Sequence, residues 1–309
     1  MTREEANMKR LTVMSFSAAI AFAGAMQARA ALKYEPDSYA AQDALVLQLD
    51  GIRNVGANRP HDPTASTWSD LSGNVGGVMF VKRDAADTSA WTDNGYLFAG
   101  MSYGITAKLL PEMANLTIEA FGDFPANMQR TSDAPWQEYA NYVSANVTGK
   151  DFSIFTYNGQ LNLFWKTDNF GVSSRPSFGS WNCKNFSCVF SANAAKMYEN
   201  GKEKVSQART SQPTLPSTKF VLANSGDKAE YLTGDYYTRQ AYGTFNAVRI
   251  YNRALTADEV AANHALDQIR FMTGIPVTNA VIATSVAGAT GAEPILFSFL
   301  KHPMLPLIF

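Results

Sequence analysis

The feature of this sequence that most constrains its fold is a series of short strand-like segments, each bounded by glycine, proline, asparagine or aspartate. These segments lie at 44–49, 95–98, 116–121, 139–143, 151–157, 160–165, 187–190, 219–222 and 246–251. Aromatic residues form 12% of the chain, which also contains 21 glycines and 13 prolines. Because this composition favours strands and turns over long helices, we predict an all-β protein, either a sandwich or a barrel.

Two dipeptides predict tight turns. Asn158-Gly159 and Asn200-Gly201 each lie between strand-like runs. A type I′ turn needs positive φ angles at both central residues, and Asn and Gly tolerate that conformation best. We therefore predict a β-hairpin at each of these positions.

One segment predicts a helix. Thr256 and Glu259 have the spacing of a capping box, in which the hydroxyl and the carboxylate each accept a backbone hydrogen bond from the opposite end of the first turn. Three apolar positions that follow share one helical face: Ala262, Leu266 and Ile269. The sequence thus predicts a single helix of about three to four turns, packed beside the sheets.

The first 30 residues have the organisation of a secretory signal peptide. A Lys-Arg pair at 9–10 precedes an apolar stretch at 11–26, and Ala-Arg-Ala at 28–30 provides a small-x-small cleavage site. Met8, directly before the basic pair, is an alternative start. The apolar stretch is shorter than the roughly 20 residues of a spanning helix. We therefore predict a secreted or extracytoplasmic protein, in the periplasm or at the cell surface, without a stable membrane span.

The charge balance excludes one class of partner. The whole chain has 26 Lys and Arg against 27 Asp and Glu. Removal of residues 1–30 takes away four of the former and two of the latter, which leaves a net charge of −3. Such a chain has no bulk electrostatic attraction to nucleic acid or to an anionic membrane surface, so no nucleic-acid partner is expected.

The two cysteines, Cys183 and Cys188, both follow the predicted cleavage site. In an oxidising compartment, two thiols this close in sequence can pair if a bent strand or a hairpin brings them together. We predict a disulfide between them that fixes a local loop, because so small a ring would restrict the unfolded chain little. Metal binding by this pair is disfavoured because no further Cys or His lies nearby.

The chain is predicted to contain one folded domain. Residues 1–30 form the signal peptide, 31–43 a linker, 44–275 the domain and 276–309 an irregular C-terminal tail. Besides one histidine, the segment after Pro276 has only Glu293 and Lys301 as ionisable residues. Prolines nevertheless interrupt it, and no run of about 18 apolar residues exists that could anchor the chain in a membrane.

Residues 45–271 resemble the laminin-G-like, concanavalin A-like jelly rolls of bacterial surface and secreted proteins. Four stretches support the resemblance: Leu-Gln-Leu-Asp-Gly at 47–51, Trp-Ser-Asp-Leu-Ser-Gly-Asn at 68–74, Lys-Met-Tyr-Glu-Asn-Gly-Lys at 196–202, and 243–260. The last is the most specific, because a strand, a Tyr-Asn-Arg-Ala-Leu corner and the capped helix follow in that order. The resemblance implies an antiparallel two-sheet jelly-roll sandwich, often a calcium site, and frequently glycan or protein binding.

Three residues are candidate metal ligands: Asp50, Asp70 and Asn74. Asp70 and Asn74 flank a Leu-Ser-Gly turn and could bind calcium through oxygen atoms together with Asp50 or Asp62. Any tight turn selects the same residue types, so a plain turn is the alternative interpretation. Where the family often has an aspartate before the Val-Arg-Ile-Tyr strand, this chain has Asn246, which offers a carbonyl oxygen without charge.

The histidines have no metal-ligand spacing and are predicted to lie at the surface: His61, His264 and His302. Aromatic side chains are the candidate ligand contacts, since their apolar faces can stack on sugar rings. Trp136 and Trp181 lie in predicted loops, and Tyr236 and Tyr237 lie in a polar loop, where one of the two is predicted to contact ligand. Most tryptophans are instead core residues, and Trp165, at the end of an alternating strand, is predicted to be buried.

Catalysis would need paired carboxylates. Hydrolases of the superfamily have them at alternate positions of one strand, and the nearest pattern here is Glu119, Phe121 and Asp123. Phe121 occupies the middle position, where an acid would be needed, and no Gly-x-Ser-x-Gly motif is present. We therefore predict a secreted non-catalytic recognition module that binds a glycan or a cell-surface protein. A concanavalin A-like glycoside hydrolase and a structural component of a surface assembly are the alternatives.

Overall fold

The structure, a computed structural model, describes residues 39–82, 85–100, 102–124, 140–145, 152–157, 160–165, 183–208, 214–224 and 241–272. In these ranges the strands are, in chain order, β1 (Leu45–Asp50), β2 (Thr67–Trp68), β3 (Val78–Lys82), β4 (Ala90–Thr92), β5 (Gly95–Ala99), β6 (Ser102–Thr106), β7 (Leu116–Phe124), β8 (Ala140–Ala145), β9 (Phe152–Tyr157), β10 (Gln160–Trp165), β11 (Cys183–Phe190), β12 (Ala194–Glu199), β13 (Lys202–Ala208), β14 (Val221–Leu222) and β15 (Tyr242–Tyr251). The helix α1 (Ala257–Asp267) follows them.

The chain divides into two compact units. One is Tyr39–Asp267, which contains all of these strands and α1 and therefore includes residues 39–43 of the predicted linker. The other consists of Met1–Ser38 and Gln268–Phe309, of which the structure describes a π-helical turn, Gln268–Met272. Within the described ranges, no helix has the length and apolar character needed to cross a membrane.

Two antiparallel sheets form the larger unit. The eight-stranded sheet has the order β13-β12-β11-β7-β15-β5-β4, and β1 also pairs with β15. The seven-stranded sheet has the order β10-β9-β8-β14-β6-β3-β2. The predicted all-β jelly-roll sandwich with one short helix near its C-terminal end is thereby confirmed.

Alternation along the central strand β7 decides which side chains enter the core. Ile118 and Ala120 belong to the hydrophobic core of the sandwich. Their neighbours Glu119 and Phe121 therefore point to the opposite, outer face of the eight-stranded sheet. The helix α1 packs on this outer face, where the ring of His264 lies 6.1 Å from that of Phe121.

The predicted hairpins match the observed strand pairing. Asn200 and Gly201, between β12 and β13, have φ angles of 50° and 75°, as a type I′ turn requires. A Cβ atom on Gly201 would lie 3.1 Å from the His264 side chain, so glycine also allows α1 to approach this turn. Gln160 pairs with Tyr157 in the β9–β10 ladder, so those strands form a hairpin whose two connecting residues lie outside the described ranges.

The predicted disulfide between Cys183 and Cys188 is wrong. Cys188 is buried in the core and is not disulfide-bonded. Both residues lie on β11, five positions apart. At about 3.3 Å per residue their Cα atoms are roughly 16 Å apart, whereas a disulfide needs less than ~7 Å. Proximity in sequence is misleading here because the segment between the cysteines is an extended strand rather than a bend.

The predicted capping box is present at the start of α1. The Thr256 Oγ1 atom accepts a hydrogen bond from the Glu259 amide at 3.3 Å, and Glu259 Oε2 accepts one from the Thr256 amide at 2.8 Å. The buried positions of α1 are Val260, Asn263, His264, Leu266 and Asp267. Of the predicted apolar face only Leu266 is among them, because the sheet beneath the helix presents polar groups.

Replacing Thr256 by alanine should lower the free energy of unfolding by about 0.5–2 kcal/mol, because the first turn loses the oxygen that accepts the Glu259 amide. Thermal and chemical unfolding of the purified protein measures this loss. Thr256→Ser, which keeps the hydroxyl, should stay close to the original stability. An unchanged melting temperature in Thr256→Ala would contradict the capping role.

Candidate functional site

Asp70 stabilises the turn that contains two of the predicted metal ligands by accepting backbone hydrogen bonds. Its Oδ1 atom accepts hydrogen bonds from the amides of Gln48 at 3.0 Å and Ser72 at 2.9 Å, and its Oδ2 atom accepts one from the Val75 amide at 2.8 Å. The side-chain nitrogen of Asn74 donates to the Leu45 carbonyl at 3.0 Å. In this arrangement Asp70 and Asn74 join the turn to β1.

Asp50, the third candidate ligand, closes a separate turn at the end of β1. Its Oδ1 atom accepts hydrogen bonds from the amides of Ile52 and Arg53, both at 3.0 Å. In the part of the chain that the structure describes, no three His, Cys, Asp or Glu side chains are grouped so as to hold a metal ion. The observed contacts of the three candidates are hydrogen bonds within turns and between a turn and β1.

Asn246 has a structural contact that an aspartate could not make. Its Nδ2 atom donates to both the carbonyl oxygen and the Oδ1 atom of Asn94, each at 2.9 Å. This bond connects β15 to the turn between β4 and β5. A carboxylate has no hydrogen to donate, which explains why asparagine suits this position.

Glu119 lies in a buried ion-pair cluster on the outer face of the eight-stranded sheet. It stands opposite Arg249 in the β7–β15 ladder, and Arg249 Nε lies 2.9 Å from Glu119 Oε2. The other two guanidinium nitrogens contact both carboxylate oxygens of Asp267 on α1, with Nη1 at 2.8 Å from Oδ1. Glu119 and Asp267 are 0% exposed and Arg249 is 1% exposed.

Neutral groups complete this outer-face cluster. Asn263 Nδ2 donates to Glu119 Oε2 at 3.0 Å, and the Tyr39 hydroxyl donates to Asp267 Oδ1 at 2.7 Å. The Arg249 guanidinium also lies over the Tyr39 ring, 3.9 Å from its centroid. The cluster therefore fastens both α1 and the first residues of the unit to the sheet. We define it as Tyr39, Glu119, Arg249, Asn263 and Asp267.

The electrostatics of this cluster are those of a structural ion pair. Burial raises the pKa of Glu119, and the positive charge of Arg249 opposes that rise. Burial also acts to lower the pKa of Arg249, but Asp267 and Glu119 raise it well above its ordinary value, so the guanidinium stays charged. Because α1 covers Glu119 completely, its carboxylate cannot contact a substrate, whereas Asp123 on the same strand is exposed.

His264 is buried, contrary to its predicted surface position. Its ring packs near Phe121 and above Gly201, between α1 and the sheet. Burial lowers the pKa of the imidazole. Its position on α1 gives no indication of this burial, because the apolar pattern of the helix suggests a different inner face.

The four predicted ligand contacts, Trp136, Trp181, Tyr236 and Tyr237, lie outside the described residues. Of the tryptophans inside the described ranges, Trp68 is 0% exposed and is therefore a core residue. Trp91 is half-buried on β4. The structure thus adds one partly exposed tryptophan to the candidates for ligand contact.

Trp91 belongs to a group of aromatic rings at the edge of the sandwich where β4 and β2 end the two sheets. We name this group the edge aromatic cluster: His61, Trp68, Phe80, Trp91 and Tyr96. The Trp91 ring centroid lies 5.7, 5.3, 5.4 and 5.1 Å from those of His61, Trp68, Phe80 and Tyr96, with steep interplanar angles throughout. The indole nitrogen of Trp91 donates to the Ala65 carbonyl at 2.7 Å. These contacts hold the half-exposed ring in one orientation.

Three solved structures of low sequence identity are similar to this chain. Domain 4 of an extracellular GH43 arabinanase from Geobacillus stearothermophilus, in complex with arabinotriose, is 18% identical, with 71% of this chain and 98% of that chain covered and a TM-score of 0.49. The receptor-binding domain of botulinum neurotoxin mosaic serotype C/D is 13% identical, with 74% and 52% covered and a TM-score of 0.50. The binding domain of botulinum neurotoxin DC, in complex with rat synaptotagmin II, is 11% identical, with 73% and 52% covered and a TM-score of 0.50.

The chain spans about half the length of the two neurotoxin domains, and these likenesses concern the fold alone. No curated protein matches the chain in sequence. A laminin-G-type family model, described as the concanavalin A-like lectin/glucanases superfamily, matches residues 105–261, which is just over half of the chain. This match includes β7 and β15, which provide Glu119 and Arg249 of the outer-face cluster. The chain therefore belongs to the concanavalin A-like lectin/glucanase superfamily.

Proposed function

We propose that the protein is a secreted, non-catalytic recognition module that binds carbohydrate through aromatic side chains at the margins of the sandwich. The superfamily description includes lectins, which bind sugars, and glucanases, which cleave them. The observation that favours binding is the enclosure of Glu119, because the acid best placed for hydrolysis is paired with Arg249 beneath α1. A glycosidase needs two accessible carboxyl groups on either side of the scissile bond.

Aromatic stacking supplies the affinity in this proposal. Trp136, Trp181 and one of Tyr236 and Tyr237 are the contacts that the sequence suggests, and Trp91 is the contact that the structure adds. A module without excess charge has to rely on stacking and directed hydrogen bonds, so single sites are weak.

A surface protein is the alternative ligand, since the same sandwich fold is found in the neurotoxin domain solved with rat synaptotagmin II. A degenerate hydrolase and a structural component of a surface assembly are the remaining hypotheses. If the protein binds a surface protein and is retained on no polysaccharide, the surface-protein hypothesis is favoured.

The variants Trp136→Ala and Trp181→Ala are each expected to reduce retention of the exported protein on a glycan array, because each removes a ring that can stack on sugar. Tyr237→Ala, measured in the same way, tests which of Tyr236 and Tyr237 is the ligand contact. Thermal unfolding measured in parallel distinguishes a ring that contacts the ligand from a ring that packs in the core. Lost retention with unchanged stability indicates a ligand contact, whereas lost stability indicates a core residue. Release of reducing sugar from a polysaccharide, abolished by Glu119→Gln, would instead establish the hydrolase.

A further inference from the structure

Several buried polar atoms of the edge aromatic cluster and its surroundings have no hydrogen-bond partner. Within the described ranges, these include His61 Nε2, Trp68 Nε1 and Asp87 Oδ2. Trp68 is completely buried and Asp87 is 8% exposed. Buried polar atoms are nearly always hydrogen-bonded in folded proteins, so the three at this edge of the sandwich require an explanation.

The hydrogen-bonding role of each atom follows from its other contacts. His61 Nδ1 lies 2.7 Å from the Gly51 carbonyl, which can only accept, so Nδ1 carries the hydrogen and Nε2 of the neutral ring is an acceptor. Trp68 Nε1 is a donor. Asp87 Oδ1 accepts from the Ser89 amide at 3.0 Å and the Ser89 hydroxyl at 2.6 Å, which leaves Oδ2 as a second acceptor.

Asp87 adjoins the aromatic rings. Its Oδ1 atom is hydrogen-bonded to Ser89, which directly precedes β4 and lies two positions from Trp91. Burial and then the negative charge of Asp87 raise the pKa of the Tyr96 hydroxyl to about 12. Tyr96 in turn stacks on Phe80 at 3.7 Å between centroids and contacts Trp91. One half-exposed indole, two acceptors and one donor are therefore found at the same edge.

We propose that the edge aromatic cluster is a carbohydrate subsite, in which Trp91 stacks on the apolar face of a sugar ring while His61, Trp68 and Asp87 hydrogen-bond to its hydroxyl groups. This inference rests on the proposed function and names a site for it. Sugar hydroxyls both donate and accept, so one ring can satisfy acceptors and a donor together. An aliphatic ligand could use the indole but would leave these polar atoms unpaired.

Entry of the sugar requires a local shift, because the unpaired atoms lie beneath the surface. Within the loop between β1 and β2 that bears His61, the Nδ2 atom of Asn54 donates to the Asp62 carbonyl at 2.7 Å and its Oδ1 atom accepts from the Asp62 amide at 2.9 Å. Movement of this loop would bring sugar hydroxyl groups to His61 and Trp68, while Trp91 provides the stacking surface. Ligand binding should accordingly alter the fluorescence of Trp91.

The test is affinity electrophoresis of the full chain in gels that contain xylan, arabinan, mannan, β-glucan or chitosan. Trp91→Ala should abolish the retardation of the wild-type protein in the gel that retards it. Asp87→Asn, which is nearly isosteric, should weaken apparent affinity about tenfold or more, because a charged acceptor is lost. Leu109→Ala, which truncates a 57% exposed apolar side chain outside the cluster, is the control and should be retarded like the wild type.

Two outcomes would overturn the proposal, and they are distinguishable. Retardation that persists unchanged in Asp87→Asn and in a folded Trp91→Phe or Trp91→Ala variant would place the sugar elsewhere on the module, with the recognition function intact. Absence of retardation of the wild-type protein in all five gels would count against carbohydrate recognition itself. Thermal unfolding of each variant shows whether it is folded, and Asp87→Asn tests the site if the Trp91 variants unfold.

Discussion

Replacing Arg249 by methionine is expected to lower the free energy of unfolding by about 3–5 kcal/mol, because it leaves two fully buried carboxylates without their cation. Glu119 would keep Asn263 as a donor at 3.0 Å, and Asp267 would keep the Tyr39 hydroxyl at 2.7 Å. Neutral donors do not compensate a buried negative charge as a guanidinium does. Chemical unfolding at about pH 7 measures the loss.

Glu119→Gln is the matched control for this prediction. It keeps the shape of the side chain but removes one negative charge, which leaves Arg249 paired with Asp267. Its stability should differ little from that of the wild type, and it should relieve part of the Arg249→Met defect when the two changes are combined. An Arg249→Met variant as stable as the wild type at neutral pH would show that the cluster contributes nothing to the attachment of α1.

The Arg249→Met defect should also depend on pH. Burial raises the pKa of Glu119, so the folded state binds this proton more tightly than the unfolded state does. The stability that such a group contributes is complete below its unfolded-state pKa and is lost as the pH rises through its folded-state pKa. Without Arg249, whose charge opposes the rise in the pKa of Glu119, this loss of stability with increasing pH is larger. The variant should therefore be closest to the wild type near pH 4 and furthest from it near pH 7.

Features that depend on adjacent residues were predictable from the sequence. The Asn200-Gly201 turn and the Thr256 capping box are local, and the structure confirms both. The outer-face cluster was not predictable, since Arg249 contacts Glu119 from 130 positions away. On a strand with one solvated face an acid such as Glu119 would be exposed. Here a helix covers that face, and the acid became part of an ion pair.

The edge aromatic cluster was likewise not predictable from the sequence, because its residues are brought together by the fold. The sequence identifies Trp68 and Trp91 as aromatic residues but not which of them is exposed, because that depends on how the two sheets meet. Trp68 lies on β2 and Trp91 on β4, which are the last strands of different sheets. Their ring centroids are 5.3 Å apart only because the sandwich closes at this edge. The disulfide prediction failed for a similar reason, since the spacing of Cys183 and Cys188 does not reveal the strand between them.

Trp68→Ala is expected to lower the free energy of unfolding by about 3–5 kcal/mol, because it removes the largest side chain that is fully buried in the described part of the chain and leaves a cavity between the sheets. Trp91→Ala should cost clearly less, since that ring is only half-buried and part of its surface is already in water. Chemical unfolding of the two variants under one set of conditions compares them directly. A smaller loss for Trp68→Ala than for Trp91→Ala would contradict the assignment of Trp68 to the core.

Trp68→Phe separates the packing of this ring from its unpaired donor. Phenylalanine fills much of the space and should restore a large part of the stability that Trp68→Ala loses. It has no side-chain N–H group, however, and Trp68 Nε1 is the donor among the three atoms of His61, Trp68 and Asp87 assigned to the proposed sugar subsite. A stable Trp68→Phe protein with weakened polysaccharide retardation would therefore assign this nitrogen to ligand binding. Unchanged retardation would leave Trp68 with a packing role alone, because its removal would then affect only the core.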